Sequence, residues 1–549
     1  MILKKIPILI CSLAIFSTIG NAQINRPYEP IIITGDTLSQ FSNYEIQNLY
    51  LFAYDADIDS WRMIPFQFDE VNADVEDSLK YFVPEDSLGG LLDDDDELVF
   101  ILGDLGDKAD STKWLDGADS IRYEINFYDS LDGQTGYVYL YFSKTITEQI
   151  PNTYEMAYDD LNDRIMSANY EVGFNNTGQL SDVAIKSGSG IDIFDRIKIR
   201  LYGLLTLIPF PVPVNEESIE AKSAYAKAGA VRIIRNLNAR FYYDLGILDP
   251  YDEPFVQTSF FYPWSSSFSI TGIPIDDIQN YADLLYARLS WDMNKNATNM
   301  KFFSESNDNG IIVDGSGEHE GINATSKKND LDWAMITGAQ GTMLNIFYVP
   351  ALGDSQGIFY YDNNDDSLIT NGDPVDFQPY LIDTGDSVAY GDCGYFVINN
   401  IVGEEFDFIY HNYFLHPDFS PDSASLLCNQ TRDSLVYYTQ IQYKPISKVT
   451  AAETASRLEF ELYQNYPNPF NNHTIISFSL AKTGHVSLIV YDVLGKQIKK
   501  IIDEELSANT YKYSWSGNDD QGNSVSSGLY FCKLKVGNEI LTNKILLIK

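Results

Sequence analysis

The sequence predicts an all-β, multidomain chain: an antiparallel β passenger followed by a smaller C-terminal β-sandwich. Three observations predict it. Apolar residues recur in short alternating runs split by turn residues, the period of half-buried strands. Tyr and Phe are abundant, 38 and 31 of 549 residues, and both favour the pleated surface of a sheet. No βα rhythm interleaves the strands, which disfavours a parallel sheet. Hydrophobic residues make up 44% of the chain, enough for sizeable cores despite the charge. The balance of 78 acidic against 37 basic residues, net −41, opposes nucleic acid and anionic membranes, which are bound mainly through Lys and Arg.

In chain order, Lys4 and Lys5 precede an apolar run from Ile6 to Phe16, and Gly20-Asn21-Ala22 puts small residues where a signal peptidase reads. Residues 1–22 are therefore expected to be a secretory signal peptide. The run is about half the ~20 residues a spanning helix needs. Cys11 sits inside it as apolar filler. Export permits oxidation, and of Cys393, Cys428 and Cys532 the first two are the favoured pair, against a reading of three buried thiols. No CxxC spacing points to zinc.

The passenger is divided into an N-terminal β domain, 23–150, and central β domains, 151–445, at the polar break after Ile150-Pro151-Asn152. Strands are predicted at Leu98–Leu102, Tyr137–Phe142, Val231–Tyr243, Ala282–Met293, Leu344–Val349 and Leu435–Tyr443. Ile278 to Leu289 also fits a helix. Strict alternation favours strand for the second half, with Tyr286, Arg288, Ser290 and Asp292 on one face. Leu204 to Val214 is apolar but broken by Pro209, Pro211 and Pro213, too short to span a membrane. Burial under a sheet or an exposed contact loop would both suit it.

Acidic loops suggest calcium. Asp93 to Asp96 reads either as a solvated loop before a buried strand or as a calcium site. Asp362, Asn364, Asp366, the Leu368 carbonyl, Thr370 and Asp373 fall at the ligand positions of a calcium loop. That spacing resembles EF-hand and dockerin loops, although Ser367 replaces the turn glycine; a polar hairpin tip is the competing reading.

Catalytic motifs are scarce. Ser187 to Gly190 and Gly315 to Gly317 lack the spacing of a nucleophile elbow and read as flexible loops, and no phosphate-cradling glycine motif occurs. His411 and His416 are five apart, on opposite faces of a strand, so surface or structural roles are favoured over a metal pair. Glu318-His319-Glu320 reads as exposed charge before it reads as an acid–base cluster. No catalytic pair can be nominated among so many carboxylates.

Residues 446–461 read as a linker without turns or apolar periodicity. Beyond them, Ile476, Phe478 and Leu480 share a strand face, as do Val486, Leu488 and Val490, and Tyr530, Cys532, Leu534 and Val536. Turns fall at Leu494-Gly495 and at Asp519 to Gly522. The last strand runs from Ile545 to Ile548. This density of short strands is that of an immunoglobulin-like sandwich. The words Gln464 to Asn471, Tyr491 to Gly495, Trp515-Ser516-Gly517, Asp520-Gln521-Gly522, Ser527 to Tyr530 and the basic end around Lys544 resemble the type A C-terminal sorting domain of the type IX secretion system. Asn472 departs from the family, which often has a proline there. The resemblance covers 462–549 and implies passage through the periplasm, recognition by the type IX translocon and delivery to the cell surface or the medium. Trp61 to Glu70 followed by Leu92 to Phe100 resembles a pairing in exported bacterial proteins and implies no chemistry.

The two ends thus describe an exported protein. Its passenger reads as an extracellular binding or structural module for a glycan or protein ligand, with a carbohydrate-active hydrolase or lyase as the alternative, favoured by aromatics that could stack on sugars. Whether it is an enzyme is left open.

Overall fold

A computed structural model describes residues 24–75, 79–82, 90–205, 211–243, 251–274, 282–320, 330–349, 355–363, 389–398, 405–433, 435–445, 460–465, 468, 470, 474–493, 495–520, 523–537 and 539–547. The chain divides into two compact units, Met1–Lys444 and Pro445–Lys549. Strands dominate both, and their pairings are antiparallel. The all-β expectation holds.

In the first unit, a three-stranded sheet (Pro30–Thr34, Glu97–Ile101, Phe66–Asp69) faces a five-stranded sheet. The latter is ordered Val436–Tyr443, Ile121–Tyr128, Thr135–Phe142, Leu49–Asp55, Ser60–Met63. Alternation along Glu97–Ile101 explains its apolar run: Leu98 and Phe100 enter the core between these two sheets, while Val99 and Ile101 enter a second core. The strand is buried on both faces.

That second core lies between a six-stranded and a nine-stranded sheet. The six-stranded sheet is ordered Pro211–Asn215, Phe194–Leu205, Ala282–Met293, Ala389–Ile398, Ser355–Asn363, Ser316–Glu320. Ala282–Met293 is strand throughout, and Trp291, Leu289 and Met293 supply its core face. Pro211 and Pro213 sit on the edge strand, where a missing N–H costs least. The apolar stretch they interrupt is thus a hairpin pairing Leu204 with Pro211; residues 206–210 lie outside the described residues.

The nine-stranded sheet carries Phe268, Tyr410, Phe414, Met343 and Phe347 into this core. Its other face is covered by the helix Pro421–Arg432 through Ala424, Leu427 and Cys428 against Trp333, Leu344, Ile346 and Tyr413. The sequence caps that helix. Ser420 Oγ accepts from Ser423 N at 3.1 Å, a proline opens the first turn, and Arg432 lies in the last. Arg26, fully buried, closes the far end, donating to Gln430 O at 2.8 Å and Asp433 O at 2.9 Å while pairing Asp129 at 2.8 Å. Among the described residues no helix is long and apolar enough to cross a membrane.

Candidate functional site

The acidic motif of the N-terminal region is an anchor for one arginine. Asp69 and Glu97 are paired across adjacent strands, and both reach Arg232, which is wholly buried. Its Nε donates to Asp69 Oδ2 at 2.6 Å and its Nη2 to Glu97 Oε2. Gln67 Oε1 accepts the backbone N–H groups of Val231 and Arg232 at 2.8 and 2.7 Å. Tyr81 and Phe260 flank the guanidinium at 5.3 and 5.1 Å. In the aspartate run, Asp94 and Asp95 are exposed but Asp96 is buried. Its carboxylate accepts from Asp93 N at 3.0 Å and Val71 N at 3.2 Å, so it ties the loop shut. Burial pushes that carboxyl up to about 6.

A second arginine, Arg122, is buried among Trp61, Trp114, Tyr139 and Tyr141, with Trp114 at 4.4 Å, and it donates to Gln442 Oε1 at 2.6 Å. Gln442 in turn donates to buried Glu124 at 2.8 Å. The last strand of the first unit is stitched to the second half of its N-terminal sheet by these groups.

A buried ionic cluster lies on the six-stranded sheet, on the face away from its aromatic core. Lys198 Nζ stands 2.8 Å from Asp292 Oδ2 and 3.8 Å from Asp392 Oδ2, and Arg288 Nη2 is 3.0 Å from Asp392 Oδ2. All four residues are buried. Arg288 also lies 4.9 Å from the ring of Phe359. Gly394 sits opposite Ser290 on the neighbouring strand, and a Cβ there would strike the Leu289 carbonyl and Ser290 Cα. The predicted face of Arg288, Ser290 and Asp292 is real, but it is interior. Alternation gave the face; the cationic partner Lys198, distant in sequence, left no local signal.

The residues proposed from sequence are scattered. Asp362 is buried near the end of the strand Ser355–Asn363, with Oδ2 accepting from Asp314 N at 2.7 Å and Tyr360 OH at 3.2 Å, while Oδ1 has no hydrogen-bond partner. Asn364, Asp366, Leu368, Thr370 and Asp373 lie outside the described residues. Among the described residues, no group of three or more His, Cys, Asp or Glu could hold a metal ion. His411 is in mid-strand, where burial pushes its imidazole down to about 4, and exposed His416 contacts the Pro417 carbonyl at 2.8 Å. His319 and its flanking glutamates fall on the edge strand Ser316–Glu320. The Ser187–Gly190 loop is pinned, since Gly188 N and Gly190 N both donate to Ile185 O at 3.1 and 3.0 Å.

The favoured Cys393–Cys428 pairing is corrected: both are free thiols, as is Cys532. Cys393 faces the core between the two large sheets, whereas Cys428 is on the helix Pro421–Arg432, facing the opposite side of the nine-stranded sheet.

The C-terminal unit contains a three-stranded sheet (Glu461–Leu462, Thr474–Ser479, Thr510–Trp515) and a four-stranded sheet (Gln497–Leu506, Gly484–Asp492, Gly528–Val536, Glu539–Leu547). Ile476, Phe478, Leu480, Val486, Leu488, Val490, Cys532 and Leu534 fill its core as their alternation predicts. The distinctive words of the sequence are its fastenings. Gln464 Nε2 donates to Lys544 O at 2.7 Å, and Asn468 Oδ1 accepts from Leu546 N at 2.7 Å. Phe470 meets Trp515 at 5.5 Å, and Trp515 meets Tyr530 at 5.3 Å. Gly517 (φ +63°) and Gly495 (φ +80°) take the left-handed turns that glycine permits. Residues 464–549 match the family model described as "Secretion system C-terminal sorting domain". This segment is a secretion system C-terminal sorting domain.

The sorting domain implies export to the cell surface or extracellular space. No curated protein matches the chain. Among solved structures, an alpha-mannosidase from Enterococcus faecalis V583 is similar over 89% of this chain and 55% of its own, at 8% identity and a TM-score of 0.35. Dimeric latent PorU from Porphyromonas gingivalis is similar over 78% and 34%, at 10% identity and 0.15. PorZ, an essential bacterial surface component of the type-IX secretion system of Porphyromonas gingivalis, is similar over 75% and 62%, at 10% identity and 0.13. The chain thus spans about half the length of the mannosidase it matches. At these scores the passenger is described by its own strands.

Proposed function

We propose that this protein is cargo of the type IX secretion system, carried by its sorting domain, and that residues 23–445 act outside the cell as a binding or structural module for a glycan or protein ligand. The observation that carries the reading is the sorting domain at 464–549, inside a compact unit distinct from the passenger. On this reading residues 1–22 direct the chain to the periplasm and are removed, and 462–549 engage the translocon. The test is deletion of 464–549 in the native host. Loss of the passenger from surface and medium, with accumulation in the periplasm, is the expected result; undiminished delivery would sink the proposal. Purified passenger incubated with extracellular polysaccharides separates binding from catalysis: retained ligand without product supports a binding module, and released oligosaccharide replaces it with a hydrolase or lyase.

Calcium at the 362–373 segment is a subsidiary proposal, supported by the buried Asp362 Oδ1 that makes no hydrogen bond. A melting temperature indifferent to calcium and chelator would count against it.

A further inference from the structure

The core between the six- and nine-stranded sheets is aromatic, yet among the described residues Asn345 Oδ1, Asn412 Oδ1 and Trp291 Nε1 are buried in it without a hydrogen-bond partner. Their residues are 1%, 0% and 0% exposed. Asn345 and Asn412 are direct neighbours across adjacent strands of the nine-stranded sheet. Alternation turns both toward the core, since Phe347 and Tyr410, two residues away on the same faces, pack there. Trp291 comes from the six-stranded sheet opposite, and its ring lies 5.6 Å from that of Tyr410 and 6.1 Å from that of Phe347. The orphaned donor and both orphaned acceptors are therefore brought to one patch of the seam. Asn412 Nδ2 donates to Ser266 Oγ at 3.2 Å, which holds that amide in place.

Leaving three such groups unpaired is strongly unfavourable, and natural interiors meet the need with bound water. We propose that a single water molecule is built into this seam, donating one hydrogen to each asparagine carbonyl and accepting the Trp291 indole N–H. The chemistry of the three atoms selects it. Two acceptors and one donor call for an occupant with two hydrogens and a lone pair; an ammonium has no lone pair, and a halide has no hydrogens. This water adds a hydrogen-bonded link to the ring contacts that Trp291 makes across the two sheets with Tyr410 and Phe347.

The experiment uses the full mature chain. A crystal structure at high resolution is expected to show ordered density within hydrogen-bond reach of all three atoms, and water relaxation dispersion to count one fewer long-lived internal water in Trp291→Phe. Singly, Trp291→Phe and Asn412→Leu each lower the melting temperature. Combined with Asn345→Leu, which makes the patch wholly apolar, they should lower it by much less than the sum of the separate shifts. A dry seam in the density, or an unchanged count of long-lived water in a folded Trp291→Phe, would overturn the proposal. So would additive losses in the triple variant.

Discussion

At the scale of single residues, the passenger invests its scarce cations in its interior. Arg232 answers Asp69 and Glu97 from complete burial, an arrangement whose desolvation cost is offset only while all partners are present. Arg232→Met is expected to destabilise the passenger by roughly 3–5 kcal/mol, because it leaves buried Asp69 with only the more distant Lys227, at 3.8 Å, and half-buried Glu97 without its cation. Adding Asp69→Leu to that variant should recover part of the loss in urea denaturation, and no recovery would argue that Arg232 acts through packing alone. Asp96 makes a separate prediction in pH. Its folded carboxyl holds a proton up to about 6 against an ordinary 3.8, so the folded state binds protons more tightly than the unfolded chain. Its contribution therefore weakens stability as pH rises from 3.8 to about 6, by about 2 kcal/mol. Asp96→Asn should remove that slope; an identical pH profile in the variant would assign the slope to other groups.

At the scale of elements, periodicity exposed most of what is local. The strand Ala282–Met293, the doubly buried Glu97–Ile101 and the core faces of the sorting domain all follow from alternation, since side-chain direction in a strand depends only on parity. Partner choice does not. The placing of Phe194–Leu205 and Ala389–Ile398 on either side of Ala282–Met293 joins segments far apart in sequence, and no run of residues announces it. The buried ionic cluster was invisible for the same reason, because an alternating polar face reads as solvent-facing until a second layer is known. Gly394 marks the cost of this packing. Its missing side chain lets the strand approach Leu289 and Ser290, so Gly394→Ala is expected to destabilise by about 1–3 kcal/mol through overpacking and to loosen the Lys198–Asp292–Asp392–Arg288 cluster. Faster amide exchange along Ala389–Ile398 would report it; wild-type protection would refute it.

At the scale of the whole molecule, charge and fold divide the chain in the same way. Residues 462–549 carry nine lysines against seven acidic residues, whereas 23–461 carry 26 basic against 71 acidic. The surplus of acid belongs to the passenger, where it favours solubility but opposes compaction through self-repulsion. The passenger resists by tying distant segments together: Arg26 binds Asp129 and the end of the helix, and Gln442 binds Arg122 and Glu124. The two units should therefore respond differently to salt. Screening shortens to about 8 Å at physiological ionic strength and further above it, which relieves repulsion among the exposed carboxylates while leaving the buried pairs largely untouched. Thermal unfolding of the mature chain is expected to show two transitions, with the passenger's moving several degrees upward between low and moderate salt. The sorting domain's transition should barely move, because its charges nearly balance. Deleting 464–549 should leave the passenger's transition and its salt dependence intact, and a passenger that melts together with the sorting domain, or shifts when it is removed, would show that the two units do not fold independently.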